Sequence, residues 1–378
     1  MKTNSKIIAV MMLALVMASC GSKDDRMLTI INADGTCSRE YTFRTTQQWL
    51  GIPPEEDYDS IVDKTWERTW SVIGADSVRY PVPLTEAQLD AMQEKDLSRP
   101  LGNMLLVHAK KNYKSVEEMS ADIYRSEESH LIKVEDIKST SKLEKRFRWF
   151  YTDYTFTETF AYEDSTLFPI PLSEFLSADT ASFWFTGQPD LTRGLTGSEQ
   201  NDILDGIENK VEKWTNANWF TEIYRAIAEN YDSIQNPPVS KEEFVKKCKV
   251  LVKQPEQMRL LPEHYGTKGG IGTVFREFFQ TDAYDQFIES YGGSFRYIQL
   301  FSFAPGYDLV MPGTVTDAGM GEYDGKVIHY RLSGGRMIPG VYTITATSRK
   351  VNVWPCVASC LIIILAIGSF LYRRKKQR

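Results

Sequence analysis

The sequence predicts an α+β domain followed by one transmembrane helix. Strand-like alternation occurs near both ends of residues 27–350, helix signals dominate between them, and a long apolar run lies close to the C-terminus. This order favours a mixed or antiparallel sheet formed by the N- and C-terminal strands. Residues from about 165 to 290 are then a helical insertion into that domain.

The first predicted element is a β-hairpin. Residues 27–32 and 36–44 alternate between apolar and polar side chains, with Asp34-Gly35 between them. An Asp-Gly turn between two alternating segments is a strong hairpin signal. Further along, residues 146–160 are crowded with aromatic and β-branched side chains, which predicts one long, half-buried strand.

The central helices are predicted from their starting signals. Three capping boxes, in which a side-chain oxygen and an acidic residue three positions later satisfy free amides, begin at Ser115, Thr196 and Ser240. Apolar residues recur at helical spacing after Thr196, so a helix follows it. A separate second helix is predicted over residues 219–228.

Three short strands are predicted before the apolar run. They cover residues 309–315, 326–332 and 341–348, and glycines separate them. In the last of these, alternate residues from Tyr342 to Ala346 should face the core, because successive side chains of a strand point to opposite faces.

The N-terminus is typical of a secretory signal. Lys2 and Lys6 precede an apolar run at 7–16 that is too short to cross a bilayer. Residues 17–19 then lead to Cys20, and the Ala-Ser-Cys order resembles a lipobox, in which the cysteine carries diacylglycerol. Residues 1–19 are therefore predicted to be a lipoprotein signal peptide. The alternative is an ordinary signal peptide with an incidental cysteine.

Residues 20–26 form a predicted tether that is polar and acidic. This segment resembles the export tag on surface lipoproteins of the Bacteroidota. It leaves the cell surface open as an alternative location.

The C-terminal apolar run predicts a transmembrane helix over residues 351–372. The run has no charge and is long enough for the hydrocarbon core, and Trp354 and Tyr372 lie near its ends, where such rings favour the interface. Residues 373–378 carry five basic side chains, which predicts a cytoplasmic tail. The expected location is the inner membrane, with the domain in the periplasm. A sorting tail that is removed after export is the alternative.

Net charge argues against a nucleic-acid partner. Without the two basic residues of the signal and the five of the tail, the 44 Lys and Arg fall to 37, against 50 Asp and Glu. Binding to nucleic acid depends on a basic surface, which this acidic balance does not predict.

Two cysteines remain in the exported part, Cys37 and Cys248. They are expected either to form one disulfide in an oxidising compartment or to stay as two free buried thiols. No metal-ligand spacing of Cys and His occurs there, so no metal or cofactor is predicted.

No catalytic residue is predicted. The sequence lacks a Gly-x-Ser-x-Gly nucleophile elbow and a His-Glu-x-x-His zinc helix. The four histidines are His108, His130, His264 and His329, and none has another histidine at metal-ligand spacing. Structural or surface roles are expected for them, with His329 packed inside a strand.

A glycine-rich loop is a candidate anion site. Gly269, Gly270, Gly272 and Thr273 run into a predicted helix, and free amides at a helix N-terminus can bind an anion. A loop without a ligand is the alternative, because no strand precedes it and it is not a Walker loop.

Five positions resemble the Asp-Ser/Thr-apolar acceptor pattern of Bacteroidota O-glycosylation, with Thr166 in the third place of one triplet and an apolar residue in the other four. Average composition gives roughly one such triplet in a chain of this size. The predicted acceptors are Ser60, Ser77, Ser165, Thr180 and Ser233.

The C-terminal layout resembles a known lipoprotein family. A lipobox, an N-terminal hairpin, the segments at 311–315 and 326–330, and an apolar span with a basic tail are similar to LppM-like envelope lipoproteins. The layout also resembles envelope lipoproteins of the Bacteroidota. The resemblance implies an envelope or lipid-associated role and carries over no catalytic residue. The helical insertion departs from the family pattern.

These features favour a non-enzymatic binding or assembly factor for a periplasmic protein or lipid. The abundant aromatic residues (8 Trp, 19 Tyr and 19 Phe) suit a binding surface but equally fill cores. The alternatives are a periplasmic hydrolase that acts on glycan or peptide through an unrecognised carboxylate site, and a purely structural tether. A closed cleft with two converging carboxyls would favour the hydrolase.

Overall fold

The computed structural model describes most of the predicted domain and the C-terminal helix. The predicted signal peptide, Cys20 and most of the predicted tether lie outside the described residues. The described residues are 25–58, 62–74, 78–93, 104–120, 137–162, 168–253, 270–289, 300 and 303–376.

Two sheets and nine α-helices make up this described part. The strands are β1 (Arg26–Ile31), β2 (Cys37–Thr45), β3 (Glu67–Val72), β4 (Tyr80–Pro81), β5 (Leu105–Tyr113), β6 (Ile137–Phe147), β7 (Tyr151–Tyr162), β8 (Gly306–Val310), β9 (Thr314–Asp317), β10 (Glu322–Tyr323), β11 (Ile328–Arg331) and β12 (Tyr342–Val351). The helices are α1 (Gln47–Leu50), α2 (Glu86–Gln93), α3 (Val116–Met119), α4 (Ala178–Thr186), α5 (Ser198–Glu229), α6 (Lys241–Val252), α7 (Ile271–Phe278), α8 (Asp282–Glu289) and α9 (Val353–Lys376).

The N- and C-terminal strands are joined as predicted, but in two sheets. The large sheet has the order β10-β11-β8-β1-β2-β5-β3-β4 and is mixed, because β1 and β8 are parallel. The small sheet has the order β6-β7-β12-β9 and is antiparallel. The described part is a mixed α and β structure, and within its portion of residues 165–290 the regular structure is helical.

The N-terminal hairpin is confirmed. Ile31 pairs with Cys37, and between them the Asp34 carboxylate accepts a hydrogen bond from the Thr36 backbone N–H at 2.9 Å. Gly35 adopts a φ of +101°, a conformation that glycine takes without steric cost.

The prediction of one strand over residues 146–160 is wrong. The chain turns at residues 148–150, where the Arg148 N–H donates to the Tyr151 carbonyl at 2.7 Å, and β6 and β7 form a hairpin. Aromatic and β-branched residues occupy both arms and the turn, and no glycine or proline marks it. Strand propensity alone therefore did not reveal the reversal.

The strand predicted over residues 309–315 is also two strands. β8 lies in the large sheet and β9 in the small sheet, and the chain crosses between them at residues 311–313. Gly313, with a φ of +84°, makes the crossing. Pro312-Gly313 lies at this crossing, and such a dipeptide marks a turn rather than a continuous strand.

Two of the three capping boxes are confirmed. Ser115 and Ser240 accept hydrogen bonds from the N–H groups of Glu118 and Glu243 at 3.3 and 3.2 Å. The prediction of a capping box at Thr196 is wrong, because α5 begins after Gly197 and no side chain caps its N-terminus.

The predicted break before residue 219 is absent, and α5 is continuous over 32 residues. Asn218 is buried in α5, although asparagine has a low propensity for the interior of a helix. Its side-chain amide is hydrogen-bonded. Its Oδ1 accepts from the Ile170 N–H at 2.8 Å, and its Nδ2 donates to the Trp214 carbonyl at 3.0 Å. These contacts offset its low helix propensity.

The core has two parts that join in one cluster. The inner faces of the two sheets meet through side chains such as Phe160 and Tyr307, whose rings are 6.1 Å apart. The helical insertion packs around aromatic residues, including Phe220, Phe244 and Phe275. This core fixes the small sheet, which carries the site described next.

Candidate functional site

The candidate site lies where the small sheet runs into the apolar helix. β12 ends at Val351 and α9 begins at Val353, so Asn352 alone separates strand from helix. The Asn352 N–H donates to the Phe150 carbonyl at 2.9 Å, and its Nδ2 donates to the Arg148 carbonyl at 2.7 Å. Its Oδ1 accepts from the Thr152 hydroxyl at 3.0 Å. Asn352 therefore joins the strand–helix junction to the β6–β7 turn.

Trp149 makes a second connection between that turn and α9. Its indole Nε1 donates to the Ser359 hydroxyl at 2.8 Å, and its ring meets Trp354 edge-on with a centroid separation of 5.5 Å. The β6–β7 turn thus packs along the first two turns of the helix.

α9 is long and apolar enough to cross a membrane, by length and composition. It has 24 residues, its mean hydropathy reaches 2.3, and 6 % of its apolar window is buried in the protein. The span predicted from residue 351 starts two positions later, because Val351 still pairs with Tyr151 in the small sheet. The basic residues of the tail from Arg373 to Lys376 form the last turn of the same helix.

Exposed apolar side chains cluster around the junction. Phe147, Trp149 and Phe150 lie at the end of the β6–β7 hairpin and are 56 %, 47 % and 54 % exposed. Val351, Val353 and Trp354 continue the surface and are also exposed. We call these six residues the tip patch. Contiguous exposed apolar surface of this kind marks a contact with a protein, a ligand or a membrane.

Basic residues border the tip patch. Arg146, Arg148 and Lys350 are exposed and make no ion pair within the part of the chain that the structure describes; we call them the basic flank. Arg349 is different, because its guanidinium pairs with Asp153 at 2.8 Å and lies over the Tyr151 ring.

A shallow, open groove of about 560 Å³ lies beside the basic flank on the small sheet. Its two carboxylates are already paired, Glu144 with Lys142 at 2.6 Å and Asp153 with Arg349 at 2.8 Å. The groove is therefore not the closed cleft with two converging carboxyls that would favour a hydrolase.

A buried charged cluster connects the two sheets. Arg39 of β2 and Glu158 of β7 are both fully buried, and Nη2 of Arg39 lies 2.8 Å from each carboxylate oxygen. Glu158 also accepts hydrogen bonds from the hydroxyls of Ser139, at 2.7 Å, and Tyr307. Thr29 accepts from the Arg39 guanidinium at 3.2 Å.

The charges of this cluster support each other. Burial would lower the pKa of Arg39, but the Glu158 carboxylate, together with Tyr41 and Tyr307, more than offsets this effect, so that the pKa is raised. Burial, and then the same carboxylate, raises the pKa of Tyr307. Both effects keep Arg39 cationic and Tyr307 neutral, which fits a structural link between the sheets.

His108 joins three neighbouring strands of the large sheet. Its Nε2 lies 2.8 Å from the Ser71 hydroxyl, and its Nδ1 lies 2.8 Å from the Thr42 hydroxyl. A serine beside a histidine resembles a nucleophile with its base. However, Ser71 is fully buried and His108 is 2 % exposed, so the pair has no access to a substrate. The expected structural role of His108 fits this geometry.

The expectation that His329 is packed is wrong. It lies in β11 as predicted, but its side chain is 46 % exposed. Its Nδ1 lies 2.7 Å from Asp308, and its Nε2 lies 3.4 Å from Asp324. The hydrogen bond to Asp308, followed by that to Asp324, raises the pKa of His329 above its usual 6.5, although partial burial acts in the opposite direction.

We expect the pKa of His329 to fall in Asp308→Asn, and to fall less in Asp324→Asn because that contact is longer. A group with a raised folded-state pKa contributes stability that is complete below its unfolded pKa, near 6.5, and is lost as the pH rises through the folded-state value. NMR titration of the histidine ring protons, with His329→Gln to assign the signal, measures the shift. An unchanged pKa in Asp308→Asn would contradict the ion-pair assignment.

Cys37 and Cys248 are separate buried thiols, so the disulfide alternative is not observed. The Cys37 thiol lies 3.4 Å from the Ser115 carbonyl and 3.7 Å from the Met119 sulfur. Burial raises the pKa of Cys37 to about 11 and that of Cys248 to about 12, so neither forms a reactive thiolate at neutral pH.

The glycine-rich loop is described only from Gly270 onward, and Gly269 lies outside the described residues. Gly270 is the N-cap residue of α7 and has a φ of +81°. It packs closely on Val239, because a Cβ added to Gly270 would lie 2.7 Å from the Cγ1 of Val239. Gly272 is buried and Thr273 is half-buried. The anion site stays a prediction.

Two of the five predicted glycosylation acceptors are described. Thr180 is half-buried in the first turn of α4, and its hydroxyl lies 2.7 Å from that of Ser177. Ser233 is exposed in the turn after α5. Predicted acceptors Ser60, Ser77 and Ser165, like His130 and His264, lie outside the described residues.

No group of three His, Cys, Asp or Glu side chains within the described ranges is arranged to hold a metal ion. Comparison of the chain with protein-family models, with curated proteins and with solved structures finds no match in any of the three. The resemblance to LppM-like lipoproteins therefore rests on the sequence features alone and stays a prediction.

Proposed function

We propose that this chain is a membrane-anchored envelope lipoprotein that acts as a non-enzymatic binding or assembly factor. In this proposal α9 spans the inner membrane, the domain faces the periplasm, and the lipid on Cys20 is a second anchor. The partner is an envelope protein or a lipid. The similarity to LppM-like and Bacteroidota lipoproteins supports the same class.

The observation that carries the proposal is the fixed connection between the small sheet and α9. A helix that served only as a membrane anchor would follow a flexible linker. Here hydrogen bonds from Asn352 to the β6–β7 turn, and from Trp149 of that turn to α9, fix the junction. The buried Arg39–Glu158 pair then ties the small sheet to the rest of the domain. Such an arrangement holds the domain at a set height and orientation above a bilayer, which suits presentation to a partner.

The observations on chemistry favour a binding role over the hydrolase alternative. Ser71 and His108 are buried, and Glu158 is enclosed by Arg39 and Tyr307. A hydrolase needs its acid, base or nucleophile within reach of substrate. None of these three groups meets that condition.

We expect protease to cut the domain in spheroplasts but not in intact cells, while an epitope placed after Arg378 stays protected in both. Ile363→Arg places a charge near the middle of the apolar segment, at a cost of roughly 2.5–3.5 kcal/mol to insertion. In this variant the epitope after Arg378 should become accessible to protease in spheroplasts, because the tail no longer crosses the membrane, whereas in Ile363→Leu it should stay protected. Cutting of the domain in intact cells would instead place it on the cell surface.

A further inference from the structure

We propose that the end of the β6–β7 hairpin is a second membrane contact, with the tip patch in the interfacial layer of the bilayer and the basic flank on lipid phosphates. This inference rests on the proposed spanning of α9. It assigns a lipid-binding surface to a hairpin that is far from α9 in the sequence.

The length of α9 sets the depth of the hairpin. Uncharged residues run from Val353 to Tyr372, and at 1.5 Å per residue they cover about 30 Å, the thickness of the hydrocarbon core. With Arg373 in water on one side, Val353 lies close to the opposite boundary of that core. Ser359 is then about 9 Å further into the bilayer along the helix axis. Trp149 donates to the hydroxyl of Ser359, so the hairpin reaches at least to this boundary.

The side chains at the hairpin end suit that depth. Trp149 and Trp354 have amphipathic rings, which favour the interface, and Phe147 and Phe150 add exposed apolar surface beside them. Exposure of this apolar surface to water is unfavourable and promotes aggregation, whereas its burial in the membrane interface is favourable.

Backbone polar groups of the turn are hydrogen-bonded within the protein, which suits a poorly hydrated environment. The Arg148 and Phe150 carbonyls accept hydrogen bonds from Asn352, and the Arg148 N–H donates to Tyr151. Unpaired backbone groups are costly away from water, and these three are paired within the protein.

The basic flank lies at the level of the lipid headgroups. Arg146, Arg148 and Lys350 adjoin the tip patch in sequence. Arginine binds phosphate through two parallel hydrogen bonds, and basic residues near a membrane surface are attracted to anionic lipid. The expected ligand is therefore the phosphate of the phospholipids around α9.

The test measures the depth of position 150 in vesicles that contain the full chain. Phe150→Cys carries an environment-sensitive fluorophore in a Cys356→Ala, Cys360→Ala background, and the unsubstituted background gives the residual labelling. Val341→Cys is the matched control, because it is 63 % exposed at the start of β12, about 33 Å from the junction. Lipids that carry a quencher just below the headgroup should remove most of the emission at position 150 and leave position 341 unchanged.

Charge reversal tests the basic flank. In vesicles with anionic lipid, Arg146→Glu with Arg148→Glu should weaken quenching at position 150. Lys138→Glu, an exposed basic residue at the far end of β6, should not.

The outcomes separate this inference from the proposed anchor. If the chain floats with the vesicles and resists alkali, but position 150 behaves like position 341, α9 still spans and the hairpin proposal is overturned. If the chain neither floats nor resists alkali, both proposals fail. Quenching at position 150 that does not change on charge reversal overturns the role of the basic flank.

Discussion

Glu158→Ala is expected to lower the free energy of unfolding by about 3–5 kcal/mol, because it leaves the buried Arg39 guanidinium without its counter-charge. Nη1 of Arg39 is already buried without a hydrogen-bond partner among the described residues, so the cluster has little capacity to absorb the loss. The hydroxyls of Ser139 and Tyr307 would also lose their acceptor. Urea unfolding of the full chain in mild detergent, followed by tryptophan fluorescence, measures the change.

Two further variants identify the cause of that loss. Arg39→Met with Glu158→Leu removes both charges together and should recover most of the stability, because well-packed apolar residues often replace a buried ion pair without loss. Asp153 lies on β7, the same strand as Glu158, and forms an exposed ion pair with Arg349 of β12. Asp153→Ala breaks this pair and should cost about 1 kcal/mol or less. Equal losses for Asp153→Ala and Glu158→Ala would refute a special role for burial.

Gly313→Ala is expected to destabilise the protein by about 2–5 kcal/mol, from a left-handed conformation at about 1–2 kcal/mol and overpacking at about 1–3 kcal/mol. Gly313 has a φ of +84°, and an added Cβ would lie 2.3 Å from the Arg349 carbonyl oxygen and 2.9 Å from the Lys350 Cα. These atoms belong to the backbone of β12, so no side-chain rotation relieves the overlap. The same unfolding measurement applies.

Gly325→Ala is the matched control for that substitution. Its φ is +98°, but an added Cβ meets nothing within 4 Å, so only the conformational cost of about 1–2 kcal/mol applies. A loss in Gly313→Ala no greater than that in Gly325→Ala would show that β9 adjusts to the added methyl group. A greater loss would identify the crossing between the sheets as a tight contact with β12 close to the strand–helix junction.

Part of the candidate site was predicted from the sequence. The apolar helix within residues 351–372 and the place of Trp354 near its start follow from the sequence. The contribution of Trp149 was missed, because residues 146–160 were interpreted as one long, half-buried strand and the turn carries no glycine or proline. The signal that would have found it is the Arg-Phe-Arg-Trp sequence at 146–149, where basic and aromatic residues alternate.

The sequence by itself determined the features whose signals lie within a few residues of each other. The hairpin around Asp34-Gly35, the helix caps at Ser115 and Ser240, and the apolar helix are of this kind. Only the tertiary structure decided the division into two sheets, the Arg39–Glu158 link across 119 positions and the Trp149–Ser359 contact across 210. The physical reason is that backbone turns and caps are satisfied locally. A buried charge or an aromatic ring, in contrast, takes its partner from whichever strand or helix the whole fold places beside it.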